Sequence, residues 1–457
     1  MAKTNVICLV IDHLSAAYLG AYGNTWAQTP ALDRLAAESL VFDRAIVDTP
    51  EIEAQYRSLW FGLHALCPTR RKIGKLSLPA QMAAAGYHTS LISDMATIAA
   101  LEAGSDFADQ TLVNPIGSGS SAVAVPTDKN QRIKDSIEAT DAANFFDVAQ
   151  DCLTKLSEPF FAWLHTGTLG RTWDAPLEYR GQYADEEDPT PNESADVPNK
   201  LLAEDFDPDE LLAFTHAYSG QVSLIDELIG GYWAALAEAG RTDNLLFVLY
   251  SPRGFPLGEH RRVGTADLAL HAELTHVPLL IRTPSSKAAT NQSSSDSTGR
   301  TQAIVQPADL PATILDYCEL QSGDLSVTQE KAVIPVGNGR SVLTLIRGAD
   351  LAQFDRACII SSKQHGMVTP AWSLRVSVID PSGNQGKSER SSTESNDAKH
   401  ELFVKPDDWF EVNEVSNRCG EIVAKLETVY AQFSDACRAE APAVLAPLPE
   451  DLEKPAE

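Results

Sequence analysis

The feature that most constrains the fold is an alternation of short apolar runs with amphipathic stretches. Asn5–Ile11, Phe160–His165 and Leu245–Tyr250 are almost entirely apolar, which is typical of strands buried on both faces. Amphipathic helical patterns separate such runs, and this alternation predicts a mostly parallel sheet covered by helices. We therefore expect an α/β fold in which these three strands lie near the middle of the central sheet.

Capping residues and changes in hydrophobic pattern predict further helices and strands. A helix is expected after Thr29, because threonine is a good N-cap and Pro30 suits the first helical position. A second helix, Pro50–Leu63, is again entered through a Thr-Pro pair. The remaining predicted elements are the strands Leu40–Val47 and His88–Ser93 and the helices Leu78–Ala85, Leu211–Ala239 and Gly420–Arg438.

Changes in composition and pattern divide the chain into predicted regions. Residues 1–347 form the α/β domain, interrupted by an acidic, solvated insertion at 184–210 and a Ser-rich loop at 284–300. Shorter strands and a final helix predict a small α+β subdomain over 348–440. The Pro- and Glu-rich segment 441–457 is expected to be a disordered tail. A further flexible loop is predicted at Asp380–Lys399.

Charge and cysteine usage exclude several classes of function. Lys and Arg number 36 and Asp and Glu 63, so the formal net charge is −27. That charge repels phosphate backbones and anionic lipids, and we expect neither nucleic-acid nor membrane partners. No apolar run is long enough for a membrane span, and the first strand continues into Asp12 without a cleavage site. Seven scattered cysteines favour a reducing compartment, so a cytoplasmic location is expected.

Several segments, in this order along the chain, together resemble the sulfatase family of the alkaline-phosphatase-like superfamily. The resemblance runs from about residue 4 to residue 432 and implies that family's fold, with a small C-terminal subdomain. The ordered set is specific, although no single segment is. The segments are Asn5–Asp12, Leu19–Asn24, Thr29–Glu38, Ala85–Thr89, Pro159–His165, Tyr218–Gly230, Leu257–His260, Val277–Arg282, Gly339–Leu343, His400–Phe403 and Trp409–Asn413.

The resemblance implies hydrolysis of sulfate esters by a formylglycine nucleophile, made from Cys or Ser, beside a divalent cation that is usually calcium. Counting from Pro50 to Gly62 places the nucleophile position on Ile52, which has no nucleophilic atom. The Pro, Ser and Arg that follow it in the family motif are here Ala54, Gln55 and Tyr56. The resemblance therefore implies that this chain lacks the nucleophile that the family uses.

The metal ligands implied by the resemblance are also largely missing. The first pair, Asp-Asp in the family, is Asp12 and His13 here, and imidazole is a poor calcium ligand. The second pair, Asp-His or Asp-Asn, falls on Pro252 and Arg253. Proline offers no side-chain donor, and we expect Arg253 to form an ion pair with Asp12. Asp12 is the one family ligand that clearly matches.

The residues that support catalysis in the family are replaced as well. The expected Lys and His after the third predicted strand fall on Asp94 and Ala96, and two further positions fall near Gly170 and on Thr265. With Glu51 and Glu53, the expected site holds four carboxylates against one guanidinium, whereas an anionic substrate needs a positive site. We therefore interpret Asp12, His13, Ile52, Tyr56, Pro252 and Arg253 as the remnant of an active site.

Two functional hypotheses follow from this pattern. The first is a sulfatase-like pseudoenzyme with no cofactor, which binds an unidentified ligand or protein partner, or forms homo- or hetero-oligomers with a sulfatase relative. The alternative is an active sulfuric- or phosphoric-ester hydrolase with a rearranged centre, which would need calcium. Its best nucleophile would be Thr49, although a threonine before proline also serves as a helix N-cap. Bound metal would distinguish the two hypotheses.

Overall fold

A computed structural model describes residues 2–72, 74–116, 132–284, 298–320, 336–346, 354–377, 398–439 and 445–454. The strands in these ranges are β1 (Asn5–Ile11), β2 (Leu40–Ile46), β3 (His88–Ser93), β4 (Asp109–Leu112), β5 (Phe160–Thr166), β6 (Lys200–Leu201), β7 (Leu245–Tyr250), β8 (Arg262–Val263), β9 (His276–Val277), β10 (Leu279–Arg282), β11 (Gly299–Val305), β12 (Ala357–Ile360), β13 (Gln364–Val368), β14 (Trp372–Ser377) and β15 (Lys399–Val404).

The α-helices in the same ranges vary from a single turn to 31 residues. They are α1 (Pro30–Ala37), α2 (Ile52–Phe61), α3 (Leu78–Ala84), α4 (Ala96–Ala99), α5 (Asp141–Lys155), α6 (Thr168–Arg171), α7 (Leu177–Gly181), α8 (Pro208–Glu238), α9 (Ala272–Thr275), α10 (Asp309–Tyr317), α11 (Leu343–Ile346), α12 (Gly420–Arg438) and α13 (Glu450–Glu453).

The central sheet is mixed but mostly parallel. Its strand order is β11-β2-β10-β7-β1-β5-β3-β4, and β9 pairs with β2 outside this path. The neighbours β7-β1, β1-β5, β5-β3, β3-β4 and β11-β2 are parallel, whereas β10 is antiparallel to both β2 and β7. The expected α/β fold is confirmed, and the three apolar runs form β7, β1 and β5 in the middle of the sheet.

Helices cover both faces of this sheet, as the side chains of β1 require. Because successive side chains of a strand point to opposite faces, the apolar run in β1 contributes to two cores. Helices α2, α3 and α10 pack in the first core, and α1, α5 and α8 pack in the second. The first core contains Val6, Cys8 and Val10, and the second contains Ile7, Leu9 and Ile11.

A second, antiparallel sheet follows near the C-terminus, in the order β12-β13-β14-β15. Helix α12 packs against β13, and its buried residues Val423 and Leu426 belong to the same core as one face of the central sheet. This confirms the expected C-terminal α+β unit. The predicted boundary between 347 and 348 lies outside the described residues and stays a prediction.

The structure corrects two predictions about connecting segments and confirms a third. Helix α2 begins at Ile52 with Glu51 as its N-cap, so Thr49 is not the N-cap that the Thr-Pro pattern predicted. The acidic insertion 184–210 is not wholly solvated, because Ala195 is buried and its carbonyl accepts a hydrogen bond from Trp173. Thr29 is the N-cap of α1, as predicted.

The C-terminal tail is also more ordered than its composition suggested. Leu448 and Leu452 are buried, and the indole of Trp372 donates a 2.7 Å hydrogen bond to the carbonyl of Asp451. The disordered tail predicted for 441–457 is therefore wrong for residues 445–454. Residues 285–297 and 378–397, which hold most of the two predicted loops, lie outside the described residues. No described helix has both the length and the apolar character that crossing a membrane requires.

Candidate functional site

Loops from three parallel strands meet at the carboxyl edge of the central sheet. Asp12 follows β1, Asp94 follows β3, and Arg253 lies in the loop after β7. Ligands of open α/β sheets bind at this edge, because helix-forming segments leave a crevice there. The fold therefore places these residues, which are far apart in the sequence, where the resemblance to sulfatases requires them.

The centre of the site is a bidentate ion pair between Arg253 and Asp12. The Arg253 Nε donates to Asp12 Oδ1 over 3.0 Å, and its Nη2 donates to Oδ2 over 2.9 Å. The remaining terminal nitrogen, Nη1, donates to the carbonyl of Pro50 over 3.4 Å. The expected contact between Asp12 and Arg253 is confirmed, and both carboxylate oxygens are occupied by the guanidinium.

This pair is buried and neutral overall. Burial would by itself raise the pKa of the Asp12 carboxyl, but the Arg253 guanidinium holds that pKa below its ordinary range. Burial also acts to lower the pKa of Arg253, but Asp12 raises it above its ordinary value. Burial lowers the pKa of the neighbouring His13 to about 4, so this imidazole is neutral at pH 7. No excess positive charge is left in this group to hold an anion.

His13 fills the space beside the pair in a constrained conformation. Its φ angle is +67°, and its Nδ1 lies 3.3 Å from Asp12 Oδ2. A Cβ added at Gly170 would lie 2.3 Å from the same Nδ1, a distance that side chains do not tolerate. Gly170 stands near the position where the resemblance expects a catalytic histidine. In this chain, His13 occupies the space that a side chain at 170 would need.

The first turn of α2 carries the nucleophile position and is fixed to the same loops. Ile52 is partly buried and packs against the first core. Gln55 Nε2 donates to the carbonyl of Thr49 over 2.8 Å and to that of Pro252 over 2.7 Å, so it joins the two loops. Glu51 accepts a 2.9 Å hydrogen bond from the backbone of Ser362. These contacts stabilise the loops without providing a nucleophile.

Thr49, the alternative nucleophile, is turned into the protein. Its residue is only 1% exposed, and its hydroxyl oxygen accepts a hydrogen bond from the backbone N–H of Glu51 over 3.2 Å. No described histidine or carboxylate accepts a hydrogen bond from this hydroxyl as a general base would. The geometry assigns Thr49 a turn-forming role.

Tyr56 lies below the sheet edge, inside the first core. Its hydroxyl lies 2.5 Å from His165 Nδ1 and accepts a 3.2 Å hydrogen bond from Trp163 Nε1. Burial lowers the pKa of His165 to about 4, so the ring is neutral at pH 7. His165 and His276 therefore have hydrogen-bond partners in the interior, as expected for histidines outside a reaction centre.

Sequence reasoning missed Arg171, the second guanidinium at this edge. Its Nη1 donates to the Asp94 carbonyl over 2.9 Å and its Nη2 to the Asp94 carboxylate over 3.1 Å. Asp94 also accepts hydrogen bonds from Thr166 and Gly167. The signal was the basic residue shortly after β5, the strand beside β3. Arg171 thus neutralises one of the four carboxylates that the sequence placed here.

Members of the sulfatase family usually use a divalent metal, and the donors here do not fit calcium. Calcium takes six to eight oxygen ligands, whereas both oxygens of Asp12 are bound by Arg253. His13 offers nitrogen, Pro252 offers no side-chain donor, and Arg253 brings a positive charge to the ligand position. A cation here would first have to displace that guanidinium.

Fold and site together define an alkaline-phosphatase-like α/β protein with a C-terminal antiparallel sheet. More narrowly, the chain belongs to the sulfatase family, whose sequence profile matches residues 4–320. An arylsulfatase of Clostridium perfringens (strain 13 / Type A) is 22% identical over 321 residues. That match covers 56% of this chain and 64% of the relative, which is less than two thirds of the relative's length.

Solved structures agree in fold over nearly the whole chain. The phosphonate monoester hydrolase of Agrobacterium radiobacter superposes with a TM-score of 0.67 at 15% identity, over 94% of this chain and 96% of that one. A protein solved in complex with its substrate, D-glucosamine-2-N,6-O-disulfate, gives 0.67 at 16% identity, over 96% and 99%. At such identities the likeness establishes the fold alone.

Proposed function

We propose that this sulfatase-family chain does not hydrolyse sulfate or phosphate esters and instead has a binding or scaffolding role. The observation that carries the proposal is the Arg253–Asp12 pair, because it occupies both oxygens of the matching family ligand. Ile52 at the nucleophile position supports it independently, since an alkyl side chain cannot attack sulfur or phosphorus.

Electrostatics support the same proposal. Hydrolysis of an anionic ester needs positive groups that attract the transition state more strongly than they attract the bound substrate. Here Arg253 is neutralised by Asp12 and Arg171 by Asp94. Glu51 and Glu53 lie at the start of α2, where they repel an anion approaching this edge. The site has the fold of a sulfatase centre and lacks the charge that the reaction needs.

Hydrolysis assays with calcium and magnesium supplied test this proposal. Purified protein is incubated with 4-nitrophenyl sulfate and 4-nitrophenyl phosphate, beside the matched variants Asp12→Ala and Thr49→Val. We expect all three proteins to release nitrophenol at the rate of the buffer. Turnover by the unchanged protein that either variant abolishes would overturn the proposal, because it would assign a reaction to that residue.

Metal analysis of the same preparation gives a second, independent measurement. We expect less than one calcium per chain after dialysis against calcium-containing buffer, because Arg253 occupies the Asp12 oxygens. A stoichiometric calcium ion that disappears in Asp12→Asn would favour the active hydrolase with a rearranged centre. The matched control is Asp267→Asn, whose carboxylate pairs with Arg262 on β8, outside the Asp12 site.

The proposed role requires either a protein partner or a bound ligand. A scaffolding role predicts assembly with a second copy or with a sulfatase relative, and a ligand-binding role predicts a small-molecule complex. Light scattering of the pure protein distinguishes a homo-oligomer from a monomer. We do not expect nucleic acid or a membrane as partner, since the net charge of −27 repels both.

A further inference from the structure

Arg180 in α7 is a buried cation whose hydrogen bonds go only to uncharged groups. It is 1% exposed, and its Nη2 donates to the Trp173 carbonyl over 2.6 Å. Its Nη1 donates to the Asn192 carbonyl, and its Nε has no hydrogen-bond partner among the described residues. A guanidinium has five N–H groups, so three of those of Arg180 form no hydrogen bond with the described residues.

Arg375, a second buried arginine, has the ion-pair partners that Arg180 lacks among the described residues. Arg375 is as buried as Arg180, but it forms ion pairs with Glu411 and Glu401. In the described part of the chain, no carboxylate forms such an ion pair with Arg180, although the buried Asp174 is near enough to act on its pKa. Burial lowers the pKa of Arg180 to about 10, so it is still charged at pH 7. An unpaired charge inside a protein is costly, and a bound anion offsets that cost.

Arg180 forms part of the wall of a cavity of about 220 Å³. This cavity, the Arg180 pocket, has an apolar side formed by Trp173 and Phe214. The Trp173 indole donates to the Leu169 carbonyl over 2.8 Å, so the ring is held in place. The volume is below the roughly 300–1,000 Å³ of sites for drug-sized ligands, which indicates a small molecule.

Two charged side chains lie on the polar side of the pocket. Lys200 is already paired with Glu210 over 2.5 Å, and its ammonium lies 5.1 Å from the centre of the Phe214 ring. Asp196 also lines the pocket and is exposed to solvent. Because exposed charges are screened by water, the buried guanidinium dominates the recognition of charge inside the pocket.

We propose that the Arg180 pocket binds a small organic anion, whose carboxylate pairs with Arg180 and whose flat apolar body packs on Trp173 and Phe214. Guanidinium and carboxylate match in shape and charge, and aromatic walls suit a planar ligand. This binding goes beyond the proposed loss of hydrolysis and does not depend on it. Hydrolytic activity at the Asp12 edge would overturn the earlier proposal and leave this one standing.

Calorimetry with three singly substituted benzenes tests the proposal. Benzoate carries the carboxylate, benzamide is its neutral isostere, and benzenesulfonate is an anion with a tetrahedral head. We expect benzoate to bind at least about tenfold more tightly than benzamide, which corresponds to about 1.4 kcal/mol. Benzenesulfonate should bind more weakly than benzoate. Equal affinity for benzoate and benzamide, or no benzoate binding at millimolar concentration, would overturn the proposal.

Two variants locate the binding. Arg180→Gln should remove the preference for benzoate over benzamide, and Phe214→Ala should weaken both ligands. Phe214 is half-buried, so its variant keeps the test usable if Arg180→Gln does not fold. The matched control is Arg300→Gln, an exposed arginine that pairs with Asp43 on β2, and it should bind benzoate normally. Benzoate affinity unchanged in both pocket variants would refute the assignment.

Discussion

Two arginines of this protein lead to opposite conclusions, although both are largely removed from solvent. Arg253 binds both oxygens of Asp12 at the carboxyl edge of the sheet. Arg180 donates only to carbonyls and borders a cavity. Whether a site can receive an anion therefore depends on the partner of its cation more than on the presence of the cation. Arg253 is neutralised by Asp12 and has no excess charge for an anion. Arg180 has no ion-pair partner among the described residues and borders a cavity that an anion could enter.

The two regions also differ in how the chain builds them. The Arg253–Asp12 pair joins the ends of β1 and β7, two neighbouring strands in the middle of the sheet. The Arg180 pocket is formed by α7, α8 and the acidic insertion 184–210. The first region is therefore fixed by the sheet, and the second depends on how a surface segment packs over a long helix.

The largest expected effect is on the free energy of unfolding, which should fall more when Arg253 is replaced than when Arg180 is replaced. Arg253→Ala leaves the Asp12 carboxylate buried without its partner, which should cost about 3–5 kcal/mol of unfolding free energy. Arg180→Ala removes hydrogen bonds to neutral carbonyls and should cost about 1–3 kcal/mol. Urea unfolding followed by circular dichroism measures both. Equal costs would mean that the Asp12 pairing is not what distinguishes the two regions.

Acidification should destabilise the fold in part through His165, the buried histidine near the paired arginine. The pKa of His165 falls from an ordinary value of 6.5 to about 4 in the folded protein. The folded state thus binds fewer protons, and the stability present above pH 6.5 is lost as pH falls toward 4. One buried histidine contributes up to about 3 kcal/mol to this loss. Urea unfolding at several pH values measures how the free energy of unfolding changes with pH. Between pH 4 and 6.5 this free energy should change less steeply in His165→Gln than in the unchanged protein. An equally steep pH dependence in both would contradict the assignment.

A smaller loss of stability is expected when a side chain is added at Gly170, next to the His13 ring. Gly170→Ala should cost about 1–3 kcal/mol, because the new Cβ would meet the His13 ring. The double variant His13→Ala/Gly170→Ala should recover most of that loss in thermal unfolding. Gly231→Ala in α8 is the matched control, since nothing lies within 4 Å of its added Cβ. A Gly170→Ala variant as stable as this control would show that His13 does not fill the site.

The smallest expected effect concerns the rim of the Arg180 pocket. Asp196→Asn removes an exposed carboxylate that lines the cavity, so benzoate should bind about twofold more tightly. The gain should shrink as salt is raised, because the charge is screened by solvent ions. Calorimetry at low and high salt measures this change. Weaker binding by the variant would place the carboxylate among the groups that hold the ligand.

Much of the fold could be predicted from local signals. The predicted bounds of β1, β3, β7 and α12 agree with those observed. Thr29 and Pro30 marked the start of α1 correctly. The start of α2 was wrong, because Glu51 has an extended backbone and caps the helix, while Thr49 forms a turn and its carbonyl accepts a hydrogen bond from Gln55.

For the candidate site, the family register predicted which residues meet but not what they do together. Asp12 and Arg253 were expected to be in contact, and they are 241 positions apart in the chain. The pairing of Arg171 with Asp94 was missed, because no local pattern links two loops from neighbouring strands. The order in residues 445–454 was missed for the same reason, since Leu452 is buried by distant segments.

Hydrophobic pattern and side-chain chemistry are properties of the chain, so the sequence was enough to predict the sheet and its central strands and to place Ile52, which has no nucleophilic atom, at the position of the family's nucleophile. Three features depend on the tertiary structure: Arg253 is neutralised by Asp12, His13 leaves no room for a side chain at Gly170, and no described carboxylate lies within ion-pair distance of Arg180. Charge compensation and steric exclusion depend on distances of a few ångströms between remote residues, which folding alone establishes.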